Sequence, residues 1–349
     1  MGTAAAREKL RRQVSPADIS IVVPVGGAAP AWGRAARSLA RLDPPPAEII
    51  VVIDGPDDSL VRQAARTGGT VLVLEERGGP ARARNRGARE ARGEILFFLD
   101  SDVEAPPGLL SRLADLVNEH PATTAFIGSY DDRPGDPAFL SQYRNLLHHH
   151  VHQTGREAAS TFWSGCGALP RRVFRDLGGF DEDYPVPSIE DIELGARLRR
   201  AGHGIRLEKS LQVKHLKRWR LFDMLRTDLL RRAVPWTELM LREGEMVNDL
   251  NVKTRDRLSV TLAFLLLIAL PTGLLWWPSW AAGIGAGTVL MALNSAFFRF
   301  LLKSRGILFS LAAVPLYWIY LLICGAGFGL GATRHLLASA RPDGSRVVE

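Results

Sequence analysis

The stretch ILFFLDSD, Ile95 to Asp102, carries five apolar residues without interruption and then places two carboxylates, Asp100 and Asp102, two positions apart. An apolar run this short, bounded by charge, reads as a strand buried on both faces rather than as one face of a helix. Three earlier segments share the pattern: ISIVVPV (Ile19–Val25), EIIVVI (Glu48–Ile53) and TVLVL (Thr70–Leu74). Between them Ala31–Arg41, Asp57–Thr67 and Pro80–Arg92 carry helical spacing. The alternation predicts an α/β domain with a mostly parallel sheet and right-handed crossovers, whose ligands bind beyond the carboxyl ends of the strands. Asp54 follows the second run directly, as Asp100 and Asp102 follow the fourth. Further on, Thr123–Tyr130 reads as a strand, Pro137–His152 and Glu190–Arg200 as helices, and Ile205–His215 as a hairpin.

The chain has 349 residues and a net charge of +7. Its second part changes character. From Leu258 to Leu330 charge nearly vanishes, and three segments, 258–277, 280–298 and 307–330, each approach or exceed the ~20 apolar residues that cross a bilayer. Upstream, Lys214 to Arg232 holds seven Lys/Arg against two Asp, with apolar residues recurring at Trp219, Phe222, Leu225, Leu229, Ala233, Trp236 and Met240. That pattern predicts a helix lying on an anionic membrane surface, kinked or broken at Pro235, and it places the positive charge beside lipid rather than nucleic acid. The expected organisation is a basic, loose tail (1–17), an α/β domain (18–215), amphipathic interfacial helices (216–257), a transmembrane region (258–331) and a polar tail (332–349). No apolar segment follows the basic residues of the first positions, and Arg299, Lys303 and Arg305 follow the second span. Together these predict a multi-pass protein of the cell membrane with the α/β domain in the cytoplasm. The third span either crosses fully or re-enters through Pro315 and the glycine-rich GAGFGLG, Gly325–Gly331.

Side chains two apart on extended backbone project to the same side, so Asp100 and Asp102 can converge on one point. Hard cations such as Mg²⁺ or Mn²⁺ take one or two carboxylates while substrate phosphates complete their shell. On spacing alone, the pair serves equally as a turn and a cap for the helix that begins near Pro107. The histidines of HHHVH (His148–His152) have no acid or cysteine at ligand spacing, and the two cysteines, Cys166 and Cys324, suggest no disulfide framework. There is no GxGxxG and no P-loop, which argues against a dinucleotide enzyme or an NTPase.

Several segments taken in order resemble the family 2 glycosyltransferases, inverting enzymes of the GT-A fold that use nucleotide sugars. IVVPV opens the domain, VVIDG resembles the strand whose acid contacts the nucleotide base, and RGGPARARNRGAREARGEILFFLDSD runs from the diphosphate-side loop to the DXD metal motif. GCGALPRRVFRDLGGFDE resembles the acceptor-side loop, and SIEDIELGARLRRAG the helix with the catalytic base. The sequence departs at PVGG (Pro24–Gly27), where many relatives have tyrosine or asparagine.

The resemblance implies that Asp54 accepts from a pyrimidine N–H, and that Arg84 and Asn85 face the nucleotide side, the arginine holding a phosphate or bracing Asp100. Asp102, helped by Asp100 and His215, would hold Mg²⁺ or Mn²⁺. Gly165 and Cys166 would lie near the acceptor, and Glu190 beside the general base Asp191. For Asp54 and His215 a plain structural role stays open. The implied reaction moves a sugar from a UDP- or GDP-linked donor to a lipid or membrane-associated acceptor. Two other readings remain: a non-catalytic nucleotide-sugar-binding or scaffold protein, and a processive polysaccharide synthase. Against the second, LLRRAVPW keeps only the arginine and tryptophan of the processive Q-x-x-R-W signature.

Overall fold

The computed structural model describes residues 13–27, 29–246, 249–250 and 252–339. These divide into two compact units, one running through Gly135 and adding Glu157–Val186 and Glu193–Lys217, the other formed by Asp136–Arg156, Pro187–Ile192 and the chain from Arg218 onward.

The first unit is built on nine strands among the described residues: β1 (Ile19–Gly26), β2 (Glu48–Asp54), β3 (Thr70–Val73), β4 (Ile95–Leu99), β5 (Val103–Glu104), β6 (Ala125–Tyr130), β7 (Ala158–Ala159), β8 (Cys166–Pro170) and β9 (Ile205–His215). Their order is β3-β2-β1-β4-β8-β6-β9-β5, with β7 on β9. Strands β3, β2, β1 and β4 are mutually parallel, as their doubly buried sequences predict, while β8 enters antiparallel between β4 and β6. Helices α1 (Trp32–Leu39), α2 (Asp58–Ala64) and α3 (Gly79–Glu90) supply the crossovers, and α4 (Leu109–Glu119) follows β5. The chain reverses its direction of winding between β1 and β4, the kind of switch point where such sheets open a ligand crevice. Asp54, the last residue of β2, pairs in register with Gly26, the last of β1. The carboxylates predicted for the ligand edge therefore emerge on both sides of β1.

Three expectations for this unit are corrected. Ile205–His215 is one strand, not a hairpin: it runs parallel to β6, shifts register between Ile127 and Ser129, and ends antiparallel to β5. The first residues lie outside the described part up to residue 12, but residues 14–18 are not loose. Asn118 clamps Val14 by accepting from its N–H at 2.9 Å and donating to its carbonyl at 2.8 Å. The expected domain 18–215 is also interrupted, because α5 (Phe139–Gln153) and the first turn of α7 (Glu190–Arg200) group with the second unit. The short α6 (Arg171–Asp176) stays with the first.

In the second unit α8 (Leu221–Arg226), a π-helical stretch (Thr227–Ala233) and α9 (Val234–Glu243) form one helical run. Pro235 does not break it. A proline has no N–H for the carbonyl four residues back, here that of Arg231, and Ser188 fills the gap by donating its hydroxyl to it at 2.9 Å. The face this run buries within the protein is Met224, Asp228, Val234, Thr237 and Leu239, while Phe222, on the face read from sequence as membrane-facing, is 87% exposed.

After α10 (Thr254–Thr272) come α11 (Pro278–Leu293) and α12 (Ser295–Arg305), bent by 65° to each other, and α13 (Ile307–Ser339). Only α13 is by itself long and apolar enough to cross a membrane among the described residues, and a second crossing arises if the bent pair counts as one span. Its 33 residues extend about 50 Å at the usual helical rise. The three-span expectation is thus corrected at two places. Helix α10 opens on Arg255, Asp256 and Arg257 and ends before Trp277. The second segment breaks at the buried Asn294, whose amide donates to Ser259 Oγ and Leu290 O, and whose oxygen accepts from Tyr317 Oη at 2.8 Å. Helix α13 continues through Pro315 and Gly325–Gly331 without a re-entrant turn, and residues 332–339 of the expected polar tail are its last turns; 340–349 lie outside the described residues.

Candidate active site

Asp54 leaves β2 and accepts from the glycine pair that opens α3. The Gly78 N–H donates to its Oδ1 at 2.7 Å, and the Gly79 N–H reaches both oxygens at 3.1–3.2 Å. Gly79 has φ +83°, and a Cβ there would stand 2.4 Å from the carbonyl oxygen of Pro185, so only glycine fits. The carboxylate fixes this loop. Its oxygens offer about four lone-pair sites in all, which leaves acceptor capacity for a ligand N–H.

Asp100 and Asp102 end β4 in a turn rather than in extended backbone, with the Val103 N–H donating to Asp100 O at 3.3 Å. The same-side projection of extended backbone therefore does not apply here, and each acid is positioned by its own partner. Arg84, buried on α3 and stacked over Phe180 at 5.5 Å, donates to Asp100 Oδ1 at 2.7 Å. It braces the acid, one of the two roles expected of it. His215, the last residue of β9, sets its Nε2 3.8 Å from Asp102 Oδ2, an ion-pair distance rather than a hydrogen bond. Burial pushes the Asp102 carboxyl up, but His215 contact and charge, with the Lys217 charge, outweigh it and hold Asp102 below the usual carboxylate range.

The imidazole is held in turn. It stacks on Tyr130 at 4.1 Å and 13°, and Trp163 meets Tyr130 edge-on at 4.9 Å. Tyr130, Trp163 and Lys217 support the site. The signal for Tyr130 was an aromatic at the carboxyl end of a predicted strand.

Asn85 is turned away from a ligand role. Its amide donates to Phe180 O and Glu182 Oε1, both at 2.8 Å, and its oxygen accepts from the Phe180 N–H at 2.8 Å, stapling α3 to the loop after α6. Asn85→Ala should therefore cost about 2–4 kcal/mol, because two buried backbone groups lose their partner. Urea unfolding measures it; a loss below about 0.5 kcal/mol would mean the staple is dispensable.

Gly165 accepts from the Asp100 N–H at 3.4 Å, which places the start of the acceptor-side loop beside the first acid. Cys166 pairs with Leu99 on β4 and is fully buried, and burial pushes its thiol well up, so it packs the core and stays protonated. In the first turn of α7, Glu190 is buried and accepts from the Ser188 N–H at 2.9 Å, while the half-buried Asp191 accepts from the Ile192 N–H at 2.8 Å. Glu190 thus secures the helix start, and Asp191 is the more accessible of the two acids.

Among the described residues no three His, Cys, Asp or Glu side chains form a ready-made cation cage. Asp102 facing His215, with Asp100 held by Arg84, fits a different kind of site, in which a cation keeps phosphate or water oxygens for most of its shell. The donor set suits Mg²⁺ or Mn²⁺ carried by a diphosphate.

Residues 20–178 match the family model described as Glycosyl transferase family 2. The pre-mycofactocin glycosyltransferase of Mycobacterium tuberculosis is 31% identical over 224 residues, covering 60% of this chain and 44% of that protein. Polypeptide N-acetylgalactosaminyltransferase 4 of Caenorhabditis elegans is 27% identical over 169 residues, covering 43% of this chain and 29% of that protein. The chain therefore spans less than half the length of these curated relatives. Among solved structures, the mannosyltransferase PcManGT from Pyrobaculum calidifontis in complex with GDP-Man and Mn²⁺ shares the fold at a TM-score of 0.52 and 20% identity, covering 96% of this chain and 93% of that one.

Proposed function

We propose that this chain, whose residues 20–178 match the glycosyl transferase family 2 model and which shares the fold of a solved mannosyltransferase, is an inverting glycosyltransferase. It moves a sugar from a UDP- or GDP-linked donor to a lipid or membrane-associated acceptor. The observation that carries the reading is the set of acids at the sheet's switch point: Asp54 after β2, and Asp100 and Asp102 after β4, each held by a named partner. The relatives that match are themselves named as glycosyltransferases.

Asp54 and the amides it fixes form the nucleotide side, and Arg84 pairs with Asp100 and aims it. Asp102, with His215 and Asp100, would hold Mg²⁺ or Mn²⁺, which when bound supplies positive charge to the departing diphosphate. Asp191 takes the proton from an acceptor hydroxyl as that oxygen bonds to the anomeric carbon. The bond from carbon to diphosphate oxygen breaks in the same displacement, and its electron pair leaves with the nucleotide. Attack opposite the leaving group inverts the configuration.

Helix α13 anchors the protein in the cell membrane with the catalytic domain cytoplasmic. Support comes from the length of α13 and from the three basic side chains of α12 directly before it. In intact cells Ser339→Cys, at the far end of α13, should react with a membrane-impermeant thiol reagent; protection there would overturn the orientation. Lipid mass spectrometry of cells with and without the protein tests the activity. A lipid heavier by one sugar residue is expected, and an unchanged lipid profile would remove the lipid acceptor from the reading.

A further inference from the structure

The second unit contains a cavity of about 640 Å³, within the range of ~300–1,000 Å³ typical of ligand sites. Its lining changes character along α10. At the start of that helix stand Lys253, Arg255, Asp256 and Arg257, and one to three turns later come Val260, Phe264, Leu265 and Ile268. These apolar positions recur at helical spacing, so the lower wall is one continuous stripe. Leu265 and Ile268 are 51% and 58% exposed, so the apolar end opens sideways to the exterior.

The facing wall is α13. Gly325 lets it approach, since a Cβ there would stand 2.4 Å from the Phe264 ring and 2.8 Å from Val260 Cγ1. At the polar end the π-helical stretch adds Asp228 and Arg232, and α5 adds Arg144, which pairs with Asp228. Five basic side chains thus line the cavity against two carboxylates, Asp228 paired with Arg144 and Asp256 3.7 Å from Arg255, so basic side chains remain in excess by three. Lys253 donates to Thr154 O at 3.3 Å, and burial pulls its ammonium below its usual range despite Asp256 nearby. An ammonium deprived of water is one that a bound anion would stabilise.

We propose that this cavity binds a lipid with a phosphate head group, the phosphate among Arg232, Lys253 and Arg255 and the hydrocarbon chain along the apolar stripe of α10 towards its side opening. The charge excess selects an anionic head, and the stripe requires a chain, so a free phosphate satisfies half of the site only. That this lipid carries the acceptor hydroxyl rests on the function proposed above; its binding does not.

Native mass spectrometry of the full chain released from a neutral detergent tests the site with dodecyl phosphate, dodecanol and butyl phosphate as probes. Dodecyl phosphate should bind saturably with one molecule per chain. Dodecanol lacks the charge-assisted contacts and should bind at least about ten-fold more weakly, and butyl phosphate about a hundred-fold more weakly for want of buried chain. Arg232→Gln and Lys253→Gln should each weaken dodecyl phosphate by about ten-fold, with binding of UDP or GDP in Mn²⁺ serving as the check that each variant is folded. Equal binding of dodecanol, or variants that bind as the parent does, would overturn the proposal; should a variant fail to fold, the three probes on the parent chain decide. Absent nucleotide binding in the parent chain, with dodecyl phosphate bound, would instead count against the glycosyltransferase reading alone.

Discussion

Asp102→Asn will reduce sugar transfer by about 10³-fold or more and weaken nucleotide binding in Mn²⁺ or Mg²⁺, while the protein stays folded. The substitution keeps the shape of the side chain and removes the charge that His215 and Lys217 face. Folding is spared because it is the backbone carbonyl of residue 102 that accepts from the Leu216 N–H at 2.8 Å, and the side chain is 28% exposed. Asp100→Asn should behave differently. It too lowers turnover, but it strips a charged partner from the buried Arg84, and with Asp100 itself about a third exposed the loss of stability is about 1 kcal/mol. Turnover assays with and without chelator, beside thermal unfolding, separate the two. An Asp102→Asn protein with normal activity that ignores chelator would remove the metal assignment.

Asp191→Asn will lower kcat by about 10²- to 10⁴-fold and leave donor affinity close to that of the parent. The amide cannot accept the acceptor's proton, yet it can still take the Ile192 N–H that Asp191 now accepts at 2.8 Å. The lost charge at the helix start costs stability of only about 0.3–1 kcal/mol. Glu190→Gln offers the contrast: that acid is buried and holds the Ser188 N–H, so its effect should fall on stability more than on kcat. Initial rates at saturating donor give kcat, and calorimetric titration of the nucleotide gives the affinity. Unchanged kcat in Asp191→Asn would mean that the attacking oxygen arrives without a proton to lose, as a phosphate would.

Local sequence was enough where one stretch of chain decides its own burial. The runs around Ile21, Val51 and Phe97 are nearly continuous in apolar residues, so they had to be central strands, and each carboxylate placed after them had to surface at the ligand edge. The first turn of α7 was legible for the same reason, since its acids and its apolar spacing lie within a few residues. Tertiary structure decided what depends on distant partners. The chain 205–215 alternates as a hairpin would, yet β6 on one part and β5 on the other keep it a single strand. Strand β8, short and glycine-bearing, exists because β4 and β6 flank it. Asn85 faced the nucleotide side by resemblance, but Phe180, 95 residues away, claims its amide. Composition marked 258–330 as apolar without showing where it would bend; Ser259 and Tyr317 hold Asn294 and set the break there. Pro235 likewise keeps its helical run because Ser188 caps the carbonyl that proline leaves bare. Periodicity reports whether a residue is buried, whereas a hydrogen bond between residues far apart in sequence leaves no mark on either one until the chain has folded.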